Sequence, residues 1–214
     1  LTGVTKFSKV SVFSDLNNLE DISMEPKFHD ICGITEEELH GYFDEEVNRL
    51  AEENGQTKEE AYMTLRARYD GYHFCCNVPG IYNPFSLLHA LKNSNYGSYW
   101  FSTGTPTYLV ELLKEQNVDP KVLSGYEAAA SELDSMQVRV SNPIAVLYQS
   151  GYLTIKGYDR SVKLYMLDFP NEEVEEGFIN FLIPYYTPIP ETESPSFIGK
   201  FVREVRNGQV EEFM

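Results

Sequence analysis

The pattern of apolar and polar positions predicts two amphipathic helices in the first third of the chain. Apolar side chains recur at helical spacing over residues 35–50 and again over residues 57–69. Both segments open with Thr-x-x-Glu, which fits the capping box of a helix N-terminus. The two pairs are Thr35 with Glu38 and Thr57 with Glu60. The acidic residues of both segments fall mainly on the opposite face, so we interpret them as a solvated surface.

Further helix starts are marked by a capping residue followed by proline. Proline suits the first helical position because its missing N–H has no partner there. The dipeptides are Asn83-Pro84, Thr105-Pro106, Asp119-Pro120, Asn142-Pro143 and Ser194-Pro195. All but Asp119-Pro120 precede an apolar pattern of helical period. The middle of the chain is therefore predicted to be mainly helical.

Strand patterns are fewer. Residues 152–156 and 162–169 are rich in β-branched and aromatic side chains, and the turn residues 157–161 separate them, which predicts a hairpin. The hairpin directly follows the helix that Asn142-Pro143 opens. A helix followed at once by a two-stranded wing is typical of the last part of a winged-helix module.

Charge and cysteine content narrow the class of protein. The 214 residues include 33 acidic and 17 basic side chains, a formal net charge of −16. This excess argues against a broad nucleic-acid surface, because phosphate binding depends on clustered Lys and Arg. The chain has three cysteines, two of them adjacent, which is not the pattern of a disulfide-bonded protein. This favours a reducing compartment. No apolar run approaches the ~20 residues of a bilayer span, so we expect a cytoplasmic protein without a membrane segment.

Residues 71–110 form a neutral block within this acidic chain. Lys92 is the only fully charged side chain of the block, which also contains nine aromatic residues. The block contains Gly71 and Gly104, and glycine allows another segment to approach the backbone closely or the backbone to adopt a positive φ. We interpret the aromatic residues as the packing of a small helical subdomain. A lid that closes on a nucleotide and a partner surface are the alternatives. Within the block, Tyr72–Phe74 and Ile81–Asn83 form a second candidate hairpin.

Motifs of known chemistry are missing from the sequence. It contains no phosphate loop, dinucleotide-binding motif, hydrolase elbow or zinc-protease motif. The carboxylate runs, such as Glu36-Glu37-Glu38 and Glu172-Glu173, are interpreted as helix surfaces. His73 precedes Cys75-Cys76, but zinc requires a second ligand pair at the usual spacing. No metal site is therefore expected.

Six segments in order resemble the AAA-ATPase-like family of bacterial proteins. They are LTGVTKFSKVSVFSDLNNL at 1–19, GITEEEL at 33–39, YDGYHF at 69–74, IYNPFSLL at 81–88, YWFSTGTPTYLVELL at 99–113 and LYQSGYLTI at 147–155. Each motif alone is weak, whereas their order and spacing together are specific. The resemblance continues through residues 169–187 and covers nearly the whole chain.

The resemblance implies a parent protein with an N-terminal phosphate loop that binds ATP and Mg²⁺. It often includes a C-terminal domain similar to PD-(D/E)XK nucleases. The chain begins at Leu1 without an initiator Met and lacks the phosphate loop, so we interpret it as a fragment that would not hydrolyse ATP alone. Its expected partners are the parent's own nucleotide-binding half and its C-terminal domain.

The expected fold class is α+β, mainly α, in four parts. These are the end of a nucleotide-binding core at 1–34, a helical lid with the aromatic block at 35–116, a winged-helix-like module at 117–170 and C-terminal helices at 171–214. The resemblance implies that the lid and the winged-helix region couple the nucleotide state to a downstream domain. The alternative is a non-enzymatic module that binds protein or DNA.

Candidate site residues come from the same resemblance. Thr2 matches a sensor position, where a hydroxyl would orient the attacking water, although it would also suit the end of a buried strand. Lys6 would add positive charge near the nucleotide, or would simply be exposed. The remaining nucleotide-proximal or lid residues are Asp70, Gly71, Tyr72, Asn83, Trp100, Thr103 and Gly104.

The predicted wing carries the best basic cluster of the chain. Its members are Lys156, Arg160 and Lys163, which would contact a DNA backbone. Packing between domains is the alternative role for this wing, and the acidic surroundings favour it.

Overall fold

The structure is a computed structural model of the chain, and it describes residues 22, 24–100, 107–116, 123–134 and 143–186. The fold is α+β and mainly helical, as the sequence predicts. The chain divides into two compact units, Leu1–Val174 and Glu175–Met214. The second unit is described only over residues 175–186, where it continues a helix.

Helices dominate the described residues, in which three strands form one small sheet. The helical elements are a 3-10 helix at Pro26–Phe28 and α1 Glu36–Tyr42, α2 Asp44–Asn54, α3 Lys58–Tyr69, α4 Pro84–Asn93, α5 Thr107–Glu115, α6 Ala130–Asp134, α7 Pro143–Gln149 and α8 Glu172–Tyr186. The strands are β1 Tyr126–Ala129, β2 Thr154–Asp159 and β3 Leu164–Asp168. The sheet is antiparallel with the order β1-β3-β2.

Both predicted capping boxes are confirmed. The Glu38 N–H donates to the Thr35 hydroxyl at 3.1 Å, and the Thr35 N–H donates to the Glu38 carboxylate at 2.9 Å. The same reciprocal pair joins Thr57 and Glu60 at the start of α3. These local signals fix the starts of α1 and α3 because each satisfies two backbone N–H groups that the helix itself cannot pair.

Helices α1 to α4 pack around one core. Its buried residues are Leu39, Val47, Leu50, Ala51, Ala61, Leu65, Tyr69, Tyr82, Leu87, Ala90 and Leu91. The apolar pattern over 35–50 is broken at Phe43, which separates α1 from α2. Tyr42, which the sequence places on the apolar face, is therefore 77% exposed, because the chain turns before α2 begins.

The structure describes some of the helix starts that were predicted from a capping residue followed by proline. Asn83 caps α4, since its side-chain oxygen accepts the N–H groups of Phe85 and Ser86. Helix α7 begins at Pro143 as predicted, and α5 begins just after the Thr105-Pro106 dipeptide. Thr105-Pro106 itself, Asp119-Pro120, Asn142 and Ser194-Pro195 lie outside the described residues.

The predicted hairpin after α7 is confirmed, with different bounds. Strand β2 runs through Thr154–Asp159, so Gly157 to Asp159 belong to the strand and not to the turn. Between Ile155 and Gly157 the pairing with β3 shifts, which makes Lys156 the extra residue of a β-bulge. The sequence pattern does not predict β1, whose pairing with β3 brings together residues far apart in the chain.

The second predicted hairpin is reduced to a single bridge. Tyr72 pairs with Ile81 through two backbone hydrogen bonds of 3.3 and 3.0 Å. Tyr82 instead pairs with Ile34, which holds the segment before α1 against the start of α4. Within the part of the chain that the structure describes, no helix is long and apolar enough to cross a bilayer.

Candidate functional site

Four segments distant in sequence meet in a hydrogen-bonded cluster that we call the polar junction. They are residues 70–73 after α3, 99–100 in the aromatic block, 154–156 of β2 and 170–173 at the start of α8. The junction joins the helical part of the first unit to its sheet.

Lys156 occupies the centre of the polar junction. Its ammonium group donates to the carbonyl oxygens of Gly71 at 3.2 Å and Pro170 at 2.9 Å. Bulges redirect side chains, and the shift in the β2–β3 register falls at Lys156. Burial of the ammonium group lowers the pKa of Lys156, and the carboxylates of Asp168 and Asp70 oppose that change.

Gly71 allows the two backbone segments to approach. Its φ of +100° is a conformation that residues with a Cβ rarely adopt. A Cβ at this position would also collide with the carbonyl oxygen of Pro170 and lie 3.2 Å from the Lys156 ammonium nitrogen. The glycine is therefore required both for the backbone turn and for the close approach of residue 170.

Asn171 connects α8 to the end of α3. Its side-chain oxygen accepts the N–H of Val174 at 3.1 Å, which caps the helix. Its amide nitrogen donates to the Asp70 carbonyl oxygen at 3.0 Å. One side chain thus satisfies a helix start and a loop carbonyl at the same time.

Glu173 is the main correction to the sequence interpretation. The run Glu172-Glu173 is predicted to be a helix surface, but Glu173 has no exposed area. One of its carboxylate oxygens, Oε1, accepts the backbone N–H groups of Tyr99 at 2.5 Å and Trp100 at 3.0 Å. The other oxygen, Oε2, is buried without a hydrogen-bond partner among the described residues. Glu173 therefore ties the aromatic block to the first turn of α8.

The side-chain hydroxyl of Thr154 bonds both backbone polar groups of His73. The His73 N–H donates to the Thr154 hydroxyl at 2.7 Å, and that hydroxyl donates to the His73 carbonyl at 2.9 Å. The ring nitrogen Nδ1 of His73 lies 2.9 Å from the Gly71 carbonyl oxygen. Burial and then the positive charge of Lys156 lower the pKa of His73.

Aromatic rings cover one side of the polar junction. The rings of Trp100 and Tyr152 make an edge contact, with centroids 4.7 Å apart. A Cβ added to Gly151 would lie within van der Waals distance of the rings of Tyr72 and Trp100, so the three residues adjoin. Burial raises the pKa of Tyr152 to about 12 and also raises the pKa of Tyr72. Low solvation of these phenols fits a packed interior.

The structure thus brings together many of the predicted lid residues. Asp70, Gly71, Tyr72 and Trp100 lie at or beside the polar junction, and burial raises the pKa of Asp70. Asn83 lies at the α4 cap, where its N–H donates to the Tyr69 carbonyl oxygen. Thr2, Lys6, Thr103 and Gly104 lie outside the described residues.

The basic residues of the predicted wing lie in two different places. Arg160 and Lys163 are exposed in the turn between β2 and β3, whereas the Lys156 ammonium group is bonded within the polar junction. Asp159 lies beside Arg160 and accepts two hydrogen bonds from Ser161. The exposed end of the hairpin therefore carries a carboxylate as well as two cations.

Two pockets of the described residues lack the features of a site for ATP and Mg²⁺. A groove of 490 Å³ includes Glu60 and Glu172 in its lining, and these carboxylates would repel phosphates. A second pocket has a volume of 180 Å³, below the ~300 Å³ of the smallest ligand sites. In the same part of the chain, no group of three or more His, Cys, Asp or Glu residues is arranged to hold a metal ion.

Sequence reasoning missed Asn171, Glu173 and the His73–Thr154 pair. Asn171 directly precedes the first residue of α8, so its role as a helix cap had a readable signal. The buried position of Glu173 had no such signal in the sequence, because a glutamate in the first helical turn is usually exposed and is favoured there by the helix dipole. Its buried role depends on backbone groups more than seventy positions away.

Comparisons with known proteins add one relative. The chain is 38% identical, over 192 residues, to a protein of Azotobacter chroococcum mcd 1 that is described as an uncharacterized protein in the vnfD 5' region. The match covers 89% of this chain and 35% of that protein, so the chain spans about a third of the relative's length. No family model matches the chain. No solved structure matches it either.

Gly71→Ala is expected to destabilise the first unit by about 3 kcal/mol, because strain at positive φ adds to the collision with Pro170. Urea unfolding, followed through the fluorescence of the single Trp, measures the change.

Two glycines serve as controls for this substitution. Gly125 also has a positive φ, but the space around it is open. The substitution Gly125→Ala is therefore expected to lower the free energy of unfolding by about 1 kcal/mol. Gly41→Ala lies in a helix with no nearby atom and is expected to be neutral or stabilising by up to about 1 kcal/mol. An equal cost for Gly71→Ala and Gly125→Ala would contradict the role assigned to the close approach.

Glu173→Ala is expected to lower the free energy of unfolding by about 2 to 4 kcal/mol, because the N–H groups of Tyr99 and Trp100 lose their acceptor. Glu173→Gln keeps a carbonyl oxygen and is expected to cost less, about 1 to 2 kcal/mol. The exposed neighbour provides the control, Glu172→Ala, which is expected to change stability by under about 0.5 kcal/mol. Equal effects at positions 172 and 173 would rule out the buried role.

The lowered pKa of His73 predicts a loss of stability in mild acid. Unfolded histidine binds a proton near its ordinary pKa of 6.5, whereas folded His73 binds one only at lower pH. The unfolded state therefore takes up protons first, and stability falls as the pH drops below about 6.5. Asp70, whose pKa is raised, contributes with the opposite sign near the lower carboxylate range.

His73→Asn is expected to flatten this pH dependence in urea unfolding between about pH 7.5 and 5.5. Thr154→Val is the matched control, because it disturbs the same backbone pairing without removing a titratable group. An unchanged slope in His73→Asn would show that another group causes the loss.

Proposed function

We propose that this chain is part of an AAA-like ATP-binding protein and couples its nucleotide state to a downstream domain. The sequence assigns residues 35–116, which include α5, to the lid and residues 117–170 to the winged-helix-like module. In this proposal the helices α1 to α4 form the lid, and α5 instead joins the elements up to β3 in the module. In this proposal ATP and Mg²⁺ would be held by another part of the parent protein, where the resemblance implies a phosphate loop.

The order of elements supports the assignment of the module. Helix α5 is followed by β1, α6, α7 and then the hairpin of β2 and β3, and β3 lies between the other two strands. A winged-helix module has this alternation, with its second and third helices leading into the wing. The acidic chain and the bonded state of Lys156 favour interdomain packing over DNA contact for the wing.

The polar junction is the observation that carries the proposal. Lys156, Asn171 and Glu173 each bond a backbone segment on the far side of the junction. A displacement of the lid would have to move the first turn of α8 and β2 or break these hydrogen bonds, which would leave the buried Glu173 carboxylate without its N–H donors. In this proposal the polar junction transmits a movement of the lid to β2 and to the start of α8, as an element that couples two sites does.

The relative supports a larger parent protein. Its length is about three times the matched part, since the match covers 35% of it. The parent of this chain, if organised in the same way, has room for a nucleotide-binding half and a further domain.

The test uses the full-length parent protein. Isothermal titration calorimetry with Mg-ATP is expected to detect saturable binding that is lost when the lysine of the phosphate loop is replaced by alanine. Hydrogen exchange with a non-hydrolysable ATP analogue is expected to change in peptides over residues 97–100 and 170–174. Peptides within α2 and α3 serve as the internal control.

No binding of ATP by the parent, or binding that survives the lysine substitution, would refute the ATPase assignment. Normal binding with unchanged exchange at the polar junction would instead refute the coupling role. In that case Glu173→Gln in the parent would leave the nucleotide response unaltered as well.

A DNA-binding module is the second candidate function. The exposure of Arg160 and Lys163 at the end of the hairpin favours it. Binding to duplex DNA that weakens steeply with salt, and that falls when both residues become alanine, would support this candidate. Lys92→Ala is the matched control, because Lys92 is also exposed but lies on α4.

A further inference from the structure

Two adjacent cysteines lie in a closed loop beside the polar junction. The loop runs from residue 73 to residue 80, and the bridge between Tyr72 and Ile81 closes it through two backbone hydrogen bonds. Cys75 and Cys76 lie within this loop, and both are free thiols. We call residues 73–80 the cysteine loop.

The two thiols differ in exposure. Cys75 is only 5% exposed, and burial raises the pKa of its thiol, with the neighbouring Cys76 adding to the effect. Cys76 is partly exposed. Because a reagent in solution must reach the sulfur that it attacks, Cys76 reacts first, while Cys75 stays protonated beside it. An accessible cysteine next to a second thiol that can resolve it is the usual arrangement of a redox-sensitive pair.

Adjacent cysteines can form a disulfide, but not a relaxed one. Consecutive Cα atoms are ~3.8 Å apart across a trans peptide bond, below the ~4.4 Å at which ordinary disulfides begin. Strained or exposed disulfides are the labile and regulatory ones, whereas structural disulfides resist reduction. A bond between Cys75 and Cys76 would therefore suit a reversible modification and not a permanent crosslink.

The cysteine loop is anchored to the polar junction. The backbone N–H and carbonyl of His73, two residues before Cys75, are both bonded to the Thr154 hydroxyl, at 2.7 and 2.9 Å. Asn77, directly after Cys76, has a φ of +61°, a conformation that few residue types adopt. A disulfide ring over residues 75 and 76 would change the backbone angles between these two constrained positions. The strain would act on the bonds of His73 to β2.

We propose that Cys75 and Cys76 form a redox modification site, at which a hydroperoxide converts the two thiols into a disulfide and thereby loosens the polar junction. This proposal goes beyond the proposed function and does not depend on ATP binding by the parent protein. It assigns a role to the two cysteines, which take no part in the hydrogen bonds of the junction.

The reaction consumes one hydroperoxide for each disulfide. The Cys76 thiolate attacks one oxygen of the hydroperoxide, so that an S–O bond forms and the O–O bond breaks. The alkoxide, or hydroxide from hydrogen peroxide, leaves and takes up the proton that the thiol released. The Cys75 sulfur then attacks the sulfur of this sulfenic acid; the S–S bond forms, the S–O bond breaks, and water leaves with the Cys75 proton. The thiols lose two electrons in total, and the hydroperoxide gains them.

The first experiment treats the reduced full-length parent with a small excess of hydrogen peroxide, blocks the remaining thiols with N-ethylmaleimide and digests the protein with trypsin. Trypsin places Cys75 and Cys76 together in the peptide 69–92 and Cys32 in the peptide 28–49. Peptide 69–92 is expected to be unblocked and lighter by the mass of its two thiol hydrogens. Dithiothreitol added before blocking is expected to reverse this change.

Two variants separate the adjacent pair from the third cysteine. Cys76→Ser is expected to lower the oxidation of Cys75 at least about tenfold, because the accessible sulfur is gone. Cys32→Ser is the matched control, since Cys32 is exposed but lies outside the cysteine loop. It is expected to leave the disulfide in peptide 69–92 unchanged.

The second measurement compares hydrogen exchange in the reduced and the oxidised parent. The amide of His73 and those of the segment around Thr154 are expected to exchange about tenfold faster after oxidation, because the bonds between them are weakened. Peptides within α2 are the internal control and are expected to remain unchanged.

Three outcomes would overturn the redox site. They are a peptide 69–92 that stays fully blocked after the peroxide treatment, a disulfide that joins Cys32 to residue 75 or 76, and oxidation to sulfinic acid without a disulfide. A reversible disulfide in peptide 69–92 with unchanged exchange at His73 would overturn the effect on the polar junction. All of these are read in the wild-type parent, so they hold whether or not Cys76→Ser folds.

Discussion

Buried charge is the constraint on which the architecture of the first unit depends. A carboxylate or an ammonium group removed from water is strongly unfavourable unless hydrogen bonds replace its hydration. Glu173 meets this requirement at one of its two oxygens, which accepts the N–H groups of Tyr99 and Trp100. Lys156 keeps part of its side chain exposed to water, and its ammonium group also donates to two carbonyl oxygens. Because the partners are backbone groups, the paths of residues 71 and 99–100 are fixed relative to β2 and α8. Gly71 is needed for the same reason, since only glycine admits Pro170 at this distance.

The parts of the fold that the sequence predicts are those determined by near neighbours. Thr35 and Thr57 cap helices through residues three positions away, and Asn83 does so through the next turn. The hairpin of β2 and β3 also has a local pattern, although its bulge at Lys156 does not. Strand β1 has only four residues and no turn that ties it to its partner, so its existence depends on the edge of β3.

The candidate site shows the same division between features set by near neighbours in the sequence and features set by distant residues. Gly71 and Trp100 are selected by the motifs of the resemblance, and both lie at the polar junction. Glu173 is misread as a surface residue because its own helix gives no sign of the backbone groups that cover it. Placement of Lys156 in a basic wing is reasonable from its spacing to Arg160, but the bulge turns its ammonium group towards Gly71. Residue type and spacing identify such groups, whereas their partners are set by tertiary structure.

Apart from the local bonds Lys156–Pro170 and His73–Gly71, the hydrogen bonds of the polar junction join residues 73 to 101 positions apart in the chain. Contacts of such separation close slowly, because the intervening chain must be ordered before they form. During synthesis the helices α1 to α4 are complete long before residue 173 leaves the ribosome. Until then the N–H groups of Tyr99 and Trp100 lack the carboxylate oxygen that accepts them in the folded chain. The first turn of α8 is thus the last segment of the polar junction to be synthesised, and its arrival supplies the acceptor that ties residues 99 and 100 to the rest of the junction.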